Sequence, residues 1–443
     1  LFFCCTSNKK ELGIDSDLGQ KVDKLVQPYI NESKVAGMVV GVFKDHQPLV
    51  LKAYGFADLE LDVKLPVNAS FEIGSVTKQF TAAAILQLAE QQKLSLEDDI
   101  TKYIAFDTHG KKVTLRQLLS HTSGIKGYTE LPVFGQLSVH TYSRDTLLRL
   151  VEKEPFDFDP GEALIYNNTA FFMLGLIIEK VSGMAYEAYV KTHLFDKAGM
   201  TNSYYCSESK ITKNRAHGYD TNKEGLVRAA YLDHTWPYAA GSLCSTVEDL
   251  EKWNNALHHG KILSEKMYAE FITPVQLNDG TPTHYAKGIT VTDWKGKRLL
   301  EHGGGINGFL SQNSYFPEED VSIIVLINTT SVGPREIADQ IAGFLFKDSS
   351  GKVNTFSGDI SKYTGHYKGR GRGQDLAVQV SKNNSDLMID MGEGNGNKKT
   401  LHFIKENTWS DGFATYLFEE TDGKVKALRI DQVYGYYIIP RLV

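Results

Sequence analysis

Ser75 and Lys78 stand three residues apart in "FEIGSVTKQFTAAAILQLAE" (71–90), where a long apolar run with helical spacing begins. If a helix starts there, the two side chains share one face. A serine hydroxyl becomes a useful nucleophile only with a base nearby. A lysine amine, with an ordinary pKa of about 10.4, is protonated at neutral pH, and burial or a neighbouring cation must lower that value first. The apolar run behind Lys78 would bury it. The helix start would add N–H groups and a partial positive charge suited to a developing oxyanion. Serine is also a common helix cap and lysine a common surface residue, so the pair alone has an ordinary reading.

Two further stretches hold groups that would complete such chemistry. In "DPGEALIYNNTAFFMLG" (159–175), Tyr166 and Asn168 form a Tyr-x-Asn just before a strongly apolar helical pattern. A tyrosine beside a lysine can act as general base and then as acid toward a leaving group. Asn168 would bond a substrate amide and help fix Lys78. Taken alone, the stretch reads as a core tyrosine and a helix-capping asparagine. In "LLEHGGGINGFLSQNSYF" (299–316), a strand pattern ends at His302 and runs into Gly303, Gly304 and Gly305. Glycines in or beside a strand permit close backbone approach, here of a substrate along the edge. A backbone N–H after them would supply a second oxyanion donor. The ordinary alternative is a glycine-rich bulge or turn with an exposed histidine.

These residues need a scaffold, and the pattern of the chain implies one. "SDLGQKVDKLVQPYINESK" has helical spacing with a Ser or Asp cap, and "GMVVGVFKD" and "QPLVLKAYGFAD" read as a hairpin. Helical segments dominate from Ser75 to about Gly260. Strand patterns return in "YAKGITVTDWKGKRLLEHGG" and "FLSQNSYFPEEDVSIIVLINTT", followed by a helix in "PREIADQIAGFLFK". Strands at both ends with helices between imply an α+β domain: an antiparallel sheet built from the two extremes, flanked by helices, with an all-helical subdomain. "DSSGKVNTFSGDIS" reads as a linker, and the short strands after it suggest a small antiparallel β-barrel or sandwich. The expected division is a tether at 1–15, a catalytic domain at 16–350 and a β-domain at 351–443.

The three motifs in this order, SxxK, YxN and a basic residue with glycines, mark a known set; SxxK and KTG elements occur in β-lactamases and penicillin-binding proteins. With "LRQLLSHTSGI", "PGEALIYNN" and "AAGSLCSTVEDLEKW", the sequence resembles the serine β-lactamase-like superfamily over residues 20–347. The branch is that of class C β-lactamases, D-alanyl-D-alanine carboxypeptidases, D-aminopeptidases and esterases. The resemblance implies a β-lactamase/transpeptidase-like fold, Ser75 as acylated nucleophile, Lys78 as its activating partner and Tyr166 as general base and acid. It makes Asn168, His302, Gly303, Gly304 and Gly305 the substrate-binding set, with the N–H groups of Ser75 and Gly305 as oxyanion hole. Ser123 and His121 of "SHTSG" would be structural supports. The β-domain resembles the lipocalin-like domain appended to some peptidases of this group.

One departure bears on substrate. Many relatives have lysine, then Thr or Ser, then Gly at the third motif, whereas this chain has His302, Gly303 and Gly304. A histidine, with an ordinary pKa near ~6.5, is largely neutral at pH ~7.5 and grips a substrate carboxylate weakly. Esters, amides or D-amino-acid peptides are therefore expected ahead of β-lactams. A catalytically weak penicillin-binding or sensor lipoprotein, and a transacylase, are the alternatives. No metal or other cofactor is expected.

The remaining features bound the setting. The 443 residues carry a formal net charge of −6, which gives no basic footprint and argues against nucleic acid as a partner. A small-molecule or peptide substrate is expected instead, and no oligomeric state is implied. No apolar run approaches the ~20 residues of a membrane-spanning helix. The start, "LFFCCTSNKKELG", looks like the tail of a signal peptide, then cysteine, then a polar tether. Cys5 or Cys4 would carry a lipid anchor, placing an exported bacterial protein in the periplasm or on the envelope. Cys206 and Cys244 have no zinc-site or CxxC spacing and are expected as buried free thiols.

Overall fold

The computed structural model describes residues 15–346 and 355–442, apart from 372–373, 385, 393–397, 413 and 433–434. Cys4 and Cys5, with most of the expected tether, lie outside the described residues, as does the first half of the expected linker.

The two extremes of the catalytic region do build one sheet. Its seven strands run in the order Thr290–Trp294, Lys297–Ile306, Phe309–Phe316, Val321–Ile327, Gly37–Lys44, Gln47–Asp58 and Val63–Lys64, every neighbouring pair antiparallel. Early and late strands meet at the centre, with Val40 opposite Val325. Strand side chains alternate between faces. Met38, Val40, Val42, Ile323, Val325 and Ile327 therefore enter one core, and Val39, Phe43, Ile324 and Leu326 another. Burial on both faces is why these strands read as continuous apolar runs.

The first core is closed by two amphipathic helices. Ser16–Asn31 contributes Leu18, Val22 and Val26, and Pro334–Leu345 contributes Ile337 and Ile341. Asp15 caps the former, accepting from the Asp17 and Leu18 N–H groups at 3.0 Å each. Fully burying each of these large aliphatic side chains is worth about 1.5–3 kcal/mol, so the helices dock through side chains rather than propensity.

The second core holds the helical part of the domain. Thr77–Glu90 is buried from Thr77 through Leu88, polar residues included. A helix buried all round belongs inside a domain. It packs against Asn168–Ser182 and Val247–His258; Phe80 stacks on Trp253 with ring centroids 4.0 Å apart. A small sheet absent from the sequence reading lies beside it, in the order Phe71–Glu72, Leu243–Ser245, Tyr204–Tyr205.

The C-terminal region is a nine-stranded antiparallel sheet, a meander from Gly365–Gly371 to Gly435–Pro440 with Leu164–Ile165 added at its end. Its core is strongly aromatic, with Tyr363, Tyr367, Trp409 and Phe418 in mutual contact. The expected barrel is not closed. The sheet curls until Tyr367 bridges Arg441 and the Leu442 N–H reaches the His366 carbonyl, but among the described residues no continuous ladder joins first strand to last. The physical reason lies on the last strand: Gly435 and Tyr436 pair with Ile165 and Leu164 of the catalytic region. That edge is spent on docking rather than closure.

Candidate active site

Ser75 lies in the 3-10 turn Gly74–Val76, which runs directly into Thr77–Glu90. No side-chain cap bond is made there, so the ordinary reading of Ser75 as a helix cap does not hold. The turn is pressed against Lys297–Ile306. Gly74 has φ +47°, and a Cβ on it would sit 2.9 Å from the Gly305 amide nitrogen and carbonyl oxygen. A Cβ on Gly304 would sit 2.1 Å from the Ile73 carbonyl. Only glycine permits both approaches, and together they bring the Ser75 backbone beside that of Gly305.

Lys78 is fully buried. Its Nζ is 3.1 Å from Ser75 Oγ, 2.8 Å from Asn168 Oδ1 and 2.9 Å from the Ala240 carbonyl oxygen. Asn168 Nδ2 reaches toward Thr129 Oγ1 at 3.5 Å, which turns its oxygen to the lysine. Two of the three partners, an amide oxygen and a backbone carbonyl, can only accept. A neutral amine has two N–H donors and one lone pair. A neutral amine donating to Asn168 and Ala240 would turn its lone pair to the Ser75 hydroxyl, the orientation a base requires.

Asn168 opens the helix Asn168–Ser182, but the cap is its neighbour: Asn167 Oδ1 accepts from the Ala170 N–H at 2.8 Å. Asn168 is thereby released from capping and turned to Lys78. Tyr166 follows Leu164–Ile165 directly and is 9% exposed. Its ring centroid lies 4.7 Å from Lys78 Nζ and 4.4 Å from the His121 ring. His121 Nδ1 accepts from the Asn167 N–H at 3.1 Å, so its proton is on Nε2. The expected structural support by His121 is thus specific: it packs on Tyr166 and holds the backbone of the loop. Ser123 is buried on the same turn.

His302, expected to line the substrate groove, is instead fully buried beneath it. Its Nδ1 meets the Gly303 carbonyl at 2.6 Å and its Nε2 meets the Tyr285 hydroxyl at 2.9 Å. A carbonyl only accepts, so the ring proton is on Nδ1 and Nε2 accepts from Tyr285. Burial, reinforced by Lys78, pushes its pKa down to about 3. The third motif therefore carries no cation over the ordinary pH range. Gly303 and Gly304 are half-buried and Gly305 is exposed, leaving backbone as the surface offered to a ligand.

The sequence reading missed three contributors: the Ala240 carbonyl, Tyr285 and Tyr436. Tyr285 links His121, at 4.4 Å between rings, to His302. Tyr436 of the C-terminal sheet shares one buried cluster with Leu164, Tyr166, Leu277 and Tyr285. The same sheet grips the segment leading to Tyr285: Arg429 donates to Thr281 Oγ1 at 2.7 Å and Asp279 at 3.0 Å, and His284 lies 2.9 Å from Asp431. The C-terminal domain thus backs the wall that carries Tyr166.

The buried histidines also make stability depend on pH. His258 and His302 are both pushed down to about 3 by burial, whereas Glu301, next to His302, is pushed up to about 7 by burial. Between pH 3 and 6.5 each histidine binds a proton when unfolded but not when folded. Each therefore adds stability at pH 7 that is lost as pH falls through that window, at about 1.4 kcal/mol per pH unit. Glu301 acts oppositely between pH 4.5 and 7, because it holds a proton only when folded. Denaturant unfolding at pH 6.5, 5.5 and 4.5 checks this: wild type should lose about 1.4 kcal/mol more per unit than His258→Gln. Parallel slopes would remove His258 from the account.

Comparison with known proteins bears on the family and the fold. The protein-family model "Beta-lactamase" matches residues 22–345. The chain is 29% identical over 324 residues to a Bacillus subtilis protein named "Putative penicillin-binding protein PbpX", covering 73% of this chain and 77% of that one. It is 25% identical over 328 residues to protein flp of Staphylococcus aureus, covering 72% of this chain and 64% of that protein. Among solved structures, the octameric penicillin-binding protein homologue from Pyrococcus abyssi superposes with a TM-score of 0.67 at 26% identity. That match covers 95% of this chain and 99% of the other, so the likeness extends into the C-terminal sheet. With Ser75, Lys78, Tyr166 and Asn168 gathered in one site and the family model spanning most of the catalytic region, the chain belongs to the beta-lactamase family.

Proposed function

We propose that this protein is a serine hydrolase that forms an acyl-enzyme on Ser75 and acts on esters, amides or peptides of the D-amino-acid type. The observation that carries this reading is the buried Lys78 Nζ placed 3.1 Å from Ser75 Oγ, with Asn168 Oδ1 and the Ala240 carbonyl oxygen positioned to accept from the amine. In the acylation step Ser75 Oγ bonds to the substrate carbonyl carbon while its proton passes to the amine. The carbonyl oxygen becomes an oxyanion held by the N–H groups of Ser75 and Gly305. As the tetrahedral adduct collapses, the bond to the leaving group breaks, Tyr166 delivers a proton to that group, and the Lys78 ammonium returns a proton to Tyr166. Water then bonds to the acyl carbon while its proton passes to the Lys78 amine; the bond to Ser75 Oγ breaks as Lys78 gives that proton back to Oγ, releasing the acid.

The neutral His302 supports substrates that lack a carboxylate beside the reacting carbonyl. A β-lactam or a free D-Ala terminus presents that negative charge to a strand that has only backbone groups to meet it. An exported setting, with a lipid anchor on Cys4 or Cys5 of the tether, fits the Cys206–Cys244 disulfide, because such bonds persist in oxidising compartments.

Intact-mass analysis after treatment with a fluorophosphonate tests the core of the reading. Wild type should gain one adduct, mapped to Ser75, and Ser75→Ala none. Equal labelling of both would sink it. A panel of nitrophenyl esters, D-amino-acid amides, D-Ala-terminated peptides and a cephalosporin should show multiple turnovers, fastest on the substrates without a carboxylate. Acylation without turnover would mark a sensor, and acceleration by added amine or alcohol acceptors a transacylase.

A further inference from the structure

Three side chains meet at the end of the sheet opposite Gly303–Gly305, where Lys44 pairs with Val321 rather than Met38 with Ile327. They are His46 in the turn between Gly37–Lys44 and Gln47–Asp58, His259 just after the helix Val247–His258, and Asp320 in the turn before Val321–Ile327. One ligand atom from each lies within 4.8 Å of the others. His46 Nε2 is 3.5 Å from Asp320 Oδ2, and His259 Nε2 is 3.8 Å from the same oxygen. The two rings stand nearly perpendicular, with centroids 4.6 Å apart.

The far side of each group is already tied. His46 Nδ1 lies 2.9 Å from Glu251 Oε1, and His259 Nδ1 lies 3.2 Å from the Asn255 carbonyl oxygen. Both partners are acceptors, so in each neutral ring the proton is on Nδ1 and the lone pair on Nε2. The other oxygen of Asp320, Oδ1, accepts from the Tyr315 hydroxyl at 3.0 Å. Two imidazole lone pairs and a carboxylate oxygen therefore converge on one point. Three electron-rich atoms at that spacing repel one another until a shared proton or a bound cation lies between them. Glu251 behind His46 is only 6% exposed, and burial pushes its carboxyl pKa up, so a positive charge beside it would favour its ionised form.

We propose that His46, His259 and Asp320 form a binding site for a divalent transition-metal ion, best suited to zinc. Two nitrogen ligands and one oxygen ligand match the donor set zinc accepts, with a water in the fourth position. Hydrogen bonds from the ligating imidazoles to a carboxylate and a carbonyl are the outer contacts that fix tautomer and orientation at such sites. The ligands come from three separate segments, so the ion acts as a staple across the end of the sheet. The assignment is independent of the chemistry at Ser75.

The test uses the full chain without a histidine tag, stripped with EDTA and titrated with zinc by calorimetry and with cobalt by visible absorption. Wild type should bind one ion per chain, and zinc should raise its thermal midpoint. His46→Asn and His259→Ala should abolish both effects while keeping the midpoint measured in EDTA. Asparagine tolerates the positive φ of 61° at position 46, so that variant leaves the turn intact. Glu251→Gln should weaken binding by about 10–100-fold. No saturable binding by wild type at millimolar zinc, or binding that survives in both histidine variants, overturns the assignment.

Discussion

Tyr166→Phe should lower kcat/KM by about 10²–10⁴-fold on amides, the range a positioned acid–base group supplies. The ring would keep its packing on His121, Tyr285 and Tyr436, so the wall of the site should stand and the loss should fall on proton transfer. Lys78 keeps its bonds to Ser75, Asn168 and Ala240 in this variant, which leaves the nucleophile's base in place. The fluorophosphonate adduct on Ser75 should therefore still form, because its fluoride leaving group needs no strong acid. The loss should also be smaller on nitrophenyl esters than on amides, since an amine must be protonated to leave and a nitrophenolate need not be. Steady-state kinetics on a matched ester and amide pair reads this directly. Equal losses on both would move Tyr166 from acid to a purely structural place, and full activity would remove it from the mechanism.

The same residue shows how much of the site was legible beforehand. Ser75 and Lys78 could be paired from spacing alone, because three residues on a helix are one turn. Here the 3-10 turn and the helix together preserve that neighbourhood. Tyr166, Asn168 and His302 were reached through motif order, since nothing local says that residues 91 and 227 positions downstream of Ser75 fold back onto it. The Ala240 carbonyl was invisible because a backbone acceptor carries no side-chain signature. Tyr285 and Tyr436 are two among 22 tyrosines, and only the paired strands Leu164–Ile165 and Gly435–Pro440 single them out.

The overall sheet was legible for a related reason. Apolar runs of strand length at both ends of a helical region leave an antiparallel sheet as the simple way to bury both. The closure of the C-terminal barrel was not, because it depends on which edge the last strand offers to which neighbour. That choice is made by two residues, Leu164 and Ile165, nearly 200 positions from the linker. His302 was assigned a place by its motif, but its depth and its two protein partners come from packing that no motif records.

Cys206 and Cys244 correct the expectation of free thiols: they form a disulfide, with Cα atoms 5.3 Å apart. Their separation of 38 residues gives no local sign of pairing, and the register of the small sheet brings them together. A crosslink closing a loop of that length removes unfolded-chain entropy worth about 4 kcal/mol. Reduction should therefore lower the denaturant midpoint by the equivalent of about 4 kcal/mol, as should Cys206→Ala combined with Cys244→Ala, beyond a smaller cost for the vacated volume. Both cysteines are buried, so reductant should act on the native chain slowly and on the unfolding chain quickly.

The consequence reaches the active site, because the strand Leu243–Ser245 receives the Ile73 N–H on Leu243 at 2.9 Å and follows the turn that presents the Ala240 carbonyl. Cys206 itself donates its N–H to the Ser242 carbonyl at 2.9 Å. The alanine pair should thus lose activity at lower temperatures than the wild type, while retaining kcat in the cold where the fold is intact. Unfolding curves recorded with and without reductant, together with activity after graded heating, measure both parts. A midpoint indifferent to reductant would mean that the unfolded chain is already constrained between these positions, and the entropic account of the bond would fail.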